Sequence, residues 1–404
     1  MSGRRPAVAF ILVTVLIDVI GIGLIIPIMP ILVGEFTSDR ASQAHWYGAV
    51  AVTFGAAQFL CAPLLGALSD RFGRRPMLLL GIAGLGITFL VTALAQSLWV
   101  IVASRLIGGG LSANFAVAQA YAADITPSEQ RTQSLGKIGA MFGIGFVLGP
   151  VIGGMLGHID LRLPLYAAAG MCALNWCYGL LVLPESLPKE RRRPLRQARL
   201  NPLSSLAGVS RLKGVGALLF ALGFNLFPQL MLQTTWVLYT TFKFGWGTLE
   251  NGFSLFVVGL MVMIVQGVLL SRLIAMLGER RLILTGLASG VLAFAAYGLA
   301  TQGWMLYVFI CCNFMAYATV VTLQGIVSKA AGAEEQGRVM GTLTSLGSLL
   351  GVPAAFIGPS ILAQVTFLPS TDWRAGAPFF LCSALQAIAL LVAWRHFSSR
   401  RNPR

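Results

Sequence analysis

The chain has 404 residues, of which 56% are hydrophobic and 11% charged, and its mean hydropathy is +0.79. A soluble domain is nearer half apolar and a quarter charged, so the composition excludes an ordinary soluble protein and places most of the chain in lipid. The net charge of +15 raises nucleic acid as a partner, and the position of that charge along the chain argues against it.

Apolar runs of roughly 20 residues are long enough to cross a bilayer. Twelve are expected, near 6–33, 45–68, 76–96, 98–123, 135–157, 163–183, 213–238, 248–277, 281–301, 303–328, 338–366 and 374–396. With the N-terminus inside, Arg40, Arg162, Lys243 and Arg374 fall outside and Arg105 falls within a span, while the other Lys and Arg lie on the cytoplasmic side. That bias sets orientation and meets anionic head groups. The basic start, MSGRRPAV, is followed by no small-residue cleavage site, so the first run is expected to stay as a helix. The six cysteines fall in apolar runs and read as small buried hydrophobes. No CxxC or His-paired spacing points to metal, and disulfides are not expected.

The first span, LIDVIGIGLIIPIMP at 16–30, contains Asp18. Asp18 lies about 13 residues past Arg5, roughly 20 Å along a helix, and it is the acid placed well inside a span. An ionised carboxylate there costs several kcal/mol unless it faces water or an Arg, which suits a proton carrier or a cation ligand. The competing reading is a structural acid bonded to nearby polar groups.

Between spans two and three runs GALSDRFGRRP, 66–76. Gly66 and Gly73 allow close approach and a tight turn. Asp70 sits among Arg71, Arg74 and Arg75, where charge-assisted bonds can hold one conformation of a rocking pair of halves. Span four carries Arg105, able to neutralise Asp18, bind an anionic group or change partners during proton transfer. Asp124, at the end of that span, caps it or joins the loop charges. In span five, Gly145, Gly149, Gly153 and Gly157 recur four apart, making a smooth face for a neighbouring helix. Gly154 lies beside that face, and Pro150 can bend the helix. No strand precedes these glycines, so a dinucleotide loop is dismissed. Gln58, Asn114, Gln119, Asn225, Gln233, Trp236, Gln266, Asn313 and Gln324 are the polar and aromatic candidates for a substrate site. Of these, Gln58, Asn114, Gln119, Gln233, Trp236 and Gln324 are the assigned set, and amide and aromatic groups suit a planar, polyfunctional drug. For any single one, packing between helices is the plainer role.

A polar stretch at 183–214, with eight Lys or Arg and prolines at 184, 188, 194 and 202, divides the chain into 1–183, a linker at 184–212, and 213–404. The halves echo one another. GALSDRFGRRPMLLL (66–80) has a worn echo in SRLIAMLGERRLILT (271–285), and GIGFVLGPVIGG (143–154) has another in GVPAAFIGPSIL (351–362). Each pair holds the same place in its half, so the repeat is parallel and substrate is expected at mid-membrane between the halves.

The 66–76 loop closely resembles the signature of the major facilitator superfamily, and the fifth-span glycines resemble its antiporter motif. With LIDVIGIGLIIPIMPILVGEF and LPESLPKERRRPLRQARLNPLSSL, the chain looks like the Gram-negative tetracycline efflux antiporters. The resemblance covers nearly the whole chain. It implies a twelve-helix, all-α major facilitator fold of two pseudo-symmetric six-helix bundles in a bacterial cytoplasmic membrane, with both termini cytoplasmic. It also implies export of a metal–tetracycline chelate in exchange for a proton. Asp18 falls on the family's first-helix acid, Asp70 and Arg71 on the gating loop, Arg105 on the fourth-helix arginine, and Gln58 and Gln324 on second- and tenth-helix amides. Thr88 stands where the family has a third-helix Asp, Gly290 replaces a ninth-helix Asp and Val262 an eighth-helix His.

The expected function is proton-coupled efflux of tetracycline-like or other amphipathic drugs by alternating access. No resident cofactor or metal is expected beyond a substrate able to arrive as a divalent-metal chelate, and the protein is expected to act as a monomer without nucleic acid. The alternatives are export or facilitated movement of a sugar or metabolite, and a transport-dead ligand sensor signalling through 183–214. No nucleophile–base pair or phosphate loop supports an enzyme.

Overall fold

The computed structural model describes residues 8–112, 114–127, 130–192, 194, 216–330 and 336–399. Among the described residues the chain forms helices and short links, with no strand. The first half contains α1 (Val8–Ile25), α2 (Met29–Gly34), α3 (Arg40–Phe72), α4 (Arg74–Ala93), α5 (Leu98–Leu111), α6 (Asn114–Ile125), α7 (Arg131–Ile159) and α8 (Leu163–Leu181). The second contains α9 (Gly216–Phe244), α10 (Thr248–Ile264), a π-turn at Val265–Leu269, α11 (Leu270–Leu299), α12 (Gly303–Cys312), α13 (Phe314–Ala330), α14 (Gln336–Ala363) and α15 (Ala377–Ser399). Of the linker expected at 184–212, residues 184–192 and 194 are described, including one 3₁₀ turn at Lys189–Arg191. Residue 193 and residues 195–212 lie outside the described residues.

Nine helical stretches are long and apolar enough to cross a membrane among the described residues, or ten if α12 and α13, bent by 45°, form one span. One stretch, Thr248–Leu299, is 52 residues long. It is interrupted at Gly278, whose φ of 74° and ψ of 157° are not helical. The fourth expected span is also two helices. α5 ends in three glycines and Leu111; the next residue, Ser112, donates its hydroxyl back to the Gly109 carbonyl at 3.1 Å, a local bond that competes with helix continuation. Periodicity and hydropathy do not register these breaks, because both sides of each are equally apolar.

Polar caps appear where helices meet water. Asp39 accepts from the Ser42 amide at 2.9 Å at the start of α3, and this bond holds its carboxyl below the usual range. Asp372 accepts from the Arg374 side chain and backbone, which hold its carboxyl low in the same way.

Contacts divide the chain into two compact units. One takes Met1–Phe36, Thr53–Pro202 and Gly247–Phe256; the other takes Thr37–Val52, Leu203–Trp246 and Val257–Arg404. In the first, Ile11, Val15 and Val19 of α1 pack with Leu78, Tyr121 and Ile138. In the second, Leu218 and Leu222 of α9 pack with Ile283, Leu287, Leu323 and Ala389. Large apolar residues such as Trp99, Leu181 and Leu292 stay exposed. In lipid this costs nothing, so helix association relies on close packing and interhelical hydrogen bonds.

Candidate functional site

Asp18 lies on the buried side of α1, 8% exposed. Asn114, the first residue of α6, donates its Nδ2 to both carboxylate oxygens, at 3.3 and 3.4 Å. The break between α5 and α6 places this amide at a helix start. Gly81 of α4 backs it, since a Cβ there would collide with the Asn114 Oδ1. One turn along α1, the Thr14 carbonyl accepts from Asn175 of α8 at 3.0 Å. Asn114, assigned to substrate from sequence, is thus placed as the partner of Asp18.

Arg105 is equally buried, on α5. Its Nη2 donates to the Thr92 hydroxyl at 3.2 Å, and its guanidinium lies 5.5 and 5.9 Å from the ring centres of Phe89 and Phe54. Thr92 and Ser104 hydroxyls are 2.8 Å apart, and Thr92 also donates to the Thr88 carbonyl at 2.7 Å. Cation–π contacts gain strength when desolvated, so a polar ladder and two rings hold the charge. Asp18 and Arg105 keep different partners in this structure. Thr88 is 3% exposed and donates to the Leu85 carbonyl at 2.9 Å.

The glycine face of α7 lies on α1. A Cβ at Gly145 would stand 2.8 Å from Val19 Cβ, and one at Gly149 2.6 Å from Gly23 Cα. At Gly153 it would strike the Leu24 carbonyl, and at Gly157 the Ile28 side chain. The stripe therefore brackets the turn of α1 that follows Asp18. Gly154 faces the start of α10, where Thr248 Oγ1 donates to its carbonyl at 3.1 Å and a Cβ would be 3.0 Å from Gly252 Cα. Pro150 sits within an unbroken α7, its carbonyl 2.6 Å from where a Gly252 Cβ would be.

The charged turn at 66–76 is the other built feature. Gly73 has φ 109°, a conformation that L side chains rarely adopt. Gly66, by contrast, faces open space, so the close approach expected of it does not occur here. Arg74 pairs with Asp70 at 2.6 Å and Asp124 at 3.0 Å, and donates to Ser69 Oγ at 2.6 Å. The Arg74 amide donates to Glu185 Oε1 at 2.8 Å. Glu185 also accepts from the Ser186 and Leu187 amides, each at 3.0 Å. Arg75 donates to the Gly179 and Leu180 carbonyls at the end of α8. Arg71 is exposed and rests over Phe72. Glu185 went unassigned from sequence; its one signal there was an acid beside a proline just past a span, inside a basic stretch.

The remaining assigned residues lie on α3, α6, α9 and α13. Gln58 is exposed and donates to the Ser112 carbonyl at 3.3 Å. Gln119 and Gln324 are half-buried, and Gln233 is exposed. Trp236 is 4% exposed and packs edge-on against Tyr297 and Phe379, so its ring is part of an aromatic core. Gln386 donates to Asn225 Oδ1 at 2.8 Å, beside Gly290, where an added Cβ would stand 2.7 Å from the Gln386 amide nitrogen. Asn313 accepts from Ser289, and Gln266 donates to the Tyr317 carbonyl.

A helical membrane protein with a buried acid in its first span, a glycine-faced fifth span and a charged second-to-third turn is built like a secondary transporter. The Major Facilitator Superfamily pattern matches residues 11–355, and the chain belongs to that superfamily. It is a membrane transporter of small molecules and not an enzyme. It is 34% identical to "Tetracycline resistance protein, class C" of Escherichia coli over 98% of both chains. It is also 34% identical to the class D protein of Salmonella ordonez, over 96% of this chain and 97% of the relative. The crystal structure of the human organic anion transporter MFSD10 superposes with a TM-score of 0.67 at 28% identity, covering 96% of this chain and 98% of that one.

Proposed function

We propose that this transporter exports tetracycline-like or other amphipathic drugs in exchange for protons, by alternating access. The observation that carries the reading is Asp18, buried in α1 and bonded by the Asn114 amide. A lone charge at that depth is expensive, which suits a group that carries a proton. Arg105 lies on another span, held by hydroxyls and rings, and its role is to bias when Asp18 takes and releases its proton. The turn at 66–76 would latch one conformation through Arg74, Asp70 and Asp124. End-to-end similarity to tetracycline resistance proteins supports the substrate class.

The same proposal includes twelve spans, with bundles at 1–183 and 213–404 joined by the linker at 184–212. It places a monomer in the bacterial inner membrane with both termini cytoplasmic, in keeping with the bias of Lys and Arg. No resident cofactor is invoked, and a divalent ion would enter only as part of a chelated substrate.

The test is proton-driven tetracycline uptake into inside-out vesicles, comparing the parent chain with Asp18→Asn. Expected is uptake in the parent that an uncoupler abolishes and the variant lacks. Uptake that survives both removes the proton from the mechanism. Absence of tetracycline uptake in a folded, inserted parent moves the substrate to another small molecule, with Thr88, Gly290 and Val262 marking the change.

A further inference from the structure

The second unit has a groove of about 520 Å³ where the turn at Gly278 meets the end of α15. Its walls include Glu279, Arg280, Arg281 and Leu284 of α11 and Trp394 and Phe397 of α15. The Arg280 guanidinium lies 5.8 Å from the Phe397 ring centre. Glu279 is already engaged by Lys329, and among the described residues neither Arg280 nor Arg281 has a carboxylate partner. Two exposed guanidinia therefore face a groove whose one acid among the described residues, Glu279, is paired.

We propose that this groove binds the phosphate headgroup of an anionic phospholipid. Arg fits phosphate through its planar fork of donors, and basic pockets between transmembrane helices are suited to anionic head groups. The apolar half of the molecule decides between a lipid and a free phosphate. Ile388, Leu391 and Trp394 recur three residues apart along α15 and are 40%, 56% and 55% exposed. This stripe ends at the groove, so an acyl chain lying on it would deliver its headgroup to Arg280 and Arg281. Trp394, amphipathic and half in the groove, suits the boundary between the two.

The experiment uses the full chain reconstituted in vesicles containing brominated phosphatidylglycerol or brominated phosphatidylcholine. Quenching attributable to Trp394 is taken as the difference from the Trp394→Phe chain. The parent should prefer the anionic lipid by about five-fold in apparent affinity, the scale of one guanidinium at an anionic surface. The double variant Arg280→Gln, Arg281→Gln should lose that preference. Arg280→Lys, Arg281→Lys should retain a weaker one, which separates charge from folding. Equal quenching by both lipids in the parent, or a preference that survives the Gln variant, overturns the proposal. So does competition by soluble glycerol phosphate or inorganic phosphate that removes the preference, since the ligand would then be a free phosphoryl compound.

Discussion

The turns at 66–80 and 271–285 share one sequence pattern and differ in chemistry. Gly73 and Gly278 hold matching positions and both have positive φ, 109° and 74°. In each, the residue after the glycine pairs with the end of the next long span: Arg74 with Asp124, and Glu279 with Lys329. The sign of the pair is reversed. The surroundings differ more. Arg74 is 11% exposed and also engages Asp70 and Ser69, whereas Lys329 is 69% exposed. The two turns share a backbone bend and a tether between corresponding helices, and among the described residues the shielded network lies around the first.

The fifth and eleventh spans diverge in a similar way. Gly149–Pro150 matches Gly358–Pro359, but Gly145 and Gly153 correspond to Ala354 and Leu362. Gly149 approaches the α1 backbone, while a Cβ at Gly358 would meet the side chains of Thr235 and Met231. Backbone-to-backbone approach needs a run of glycines; approach to side chains needs one.

The comparison can be broken most directly at the ion pairs. Arg74→Ala should cost about 2–3 kcal/mol, because it strips charge-assisted bonds from half-buried acids. Lys329→Ala should cost no more than about 1 kcal/mol, as for an exposed pair. Unfolding in detergent would measure both, and equal losses would mean that shielding does not separate the two turns. Next come the glycines. Gly153→Ala should destabilise by roughly 1–3 kcal/mol through overpacking against Leu24. Gly351→Ala, with open space where its Cβ would go, should be neutral or stabilise by up to about 1 kcal/mol. A loss at both positions would show that α14 is packed as tightly as α7. The smallest contrast is expected at the turns. Gly73→Ala and Gly278→Ala should each cost about 1–3 kcal/mol in backbone strain. Gly73→Ala should exceed its counterpart, because its Cβ would strike the Glu185 carboxylate. Melting temperatures in the reverse order would assign Glu185 no part in the lock.

Much of the architecture was legible in the sequence. Hydropathy located long apolar helices, nine or ten of which among the described residues can cross a membrane where twelve spans were expected, because lipid requires long, nearly uncharged helices. Glycine spacing identified the packed face of α7 because four residues is close to one helical turn. The cost of burying charge singled out Asp18 and Arg105. These are local or additive properties, readable along one dimension. The tertiary structure decided the partners. It joined Asp18 to Asn114, 96 residues away, and Arg74 to Glu185, 111 residues away. It also moved Trp236 into an aromatic core and gave Arg105 to Thr92. Such choices depend on which helix faces approach and on breaks as small as Ser112 and Gly278, and an apolar run looks the same in sequence whichever neighbour its polar residue will meet.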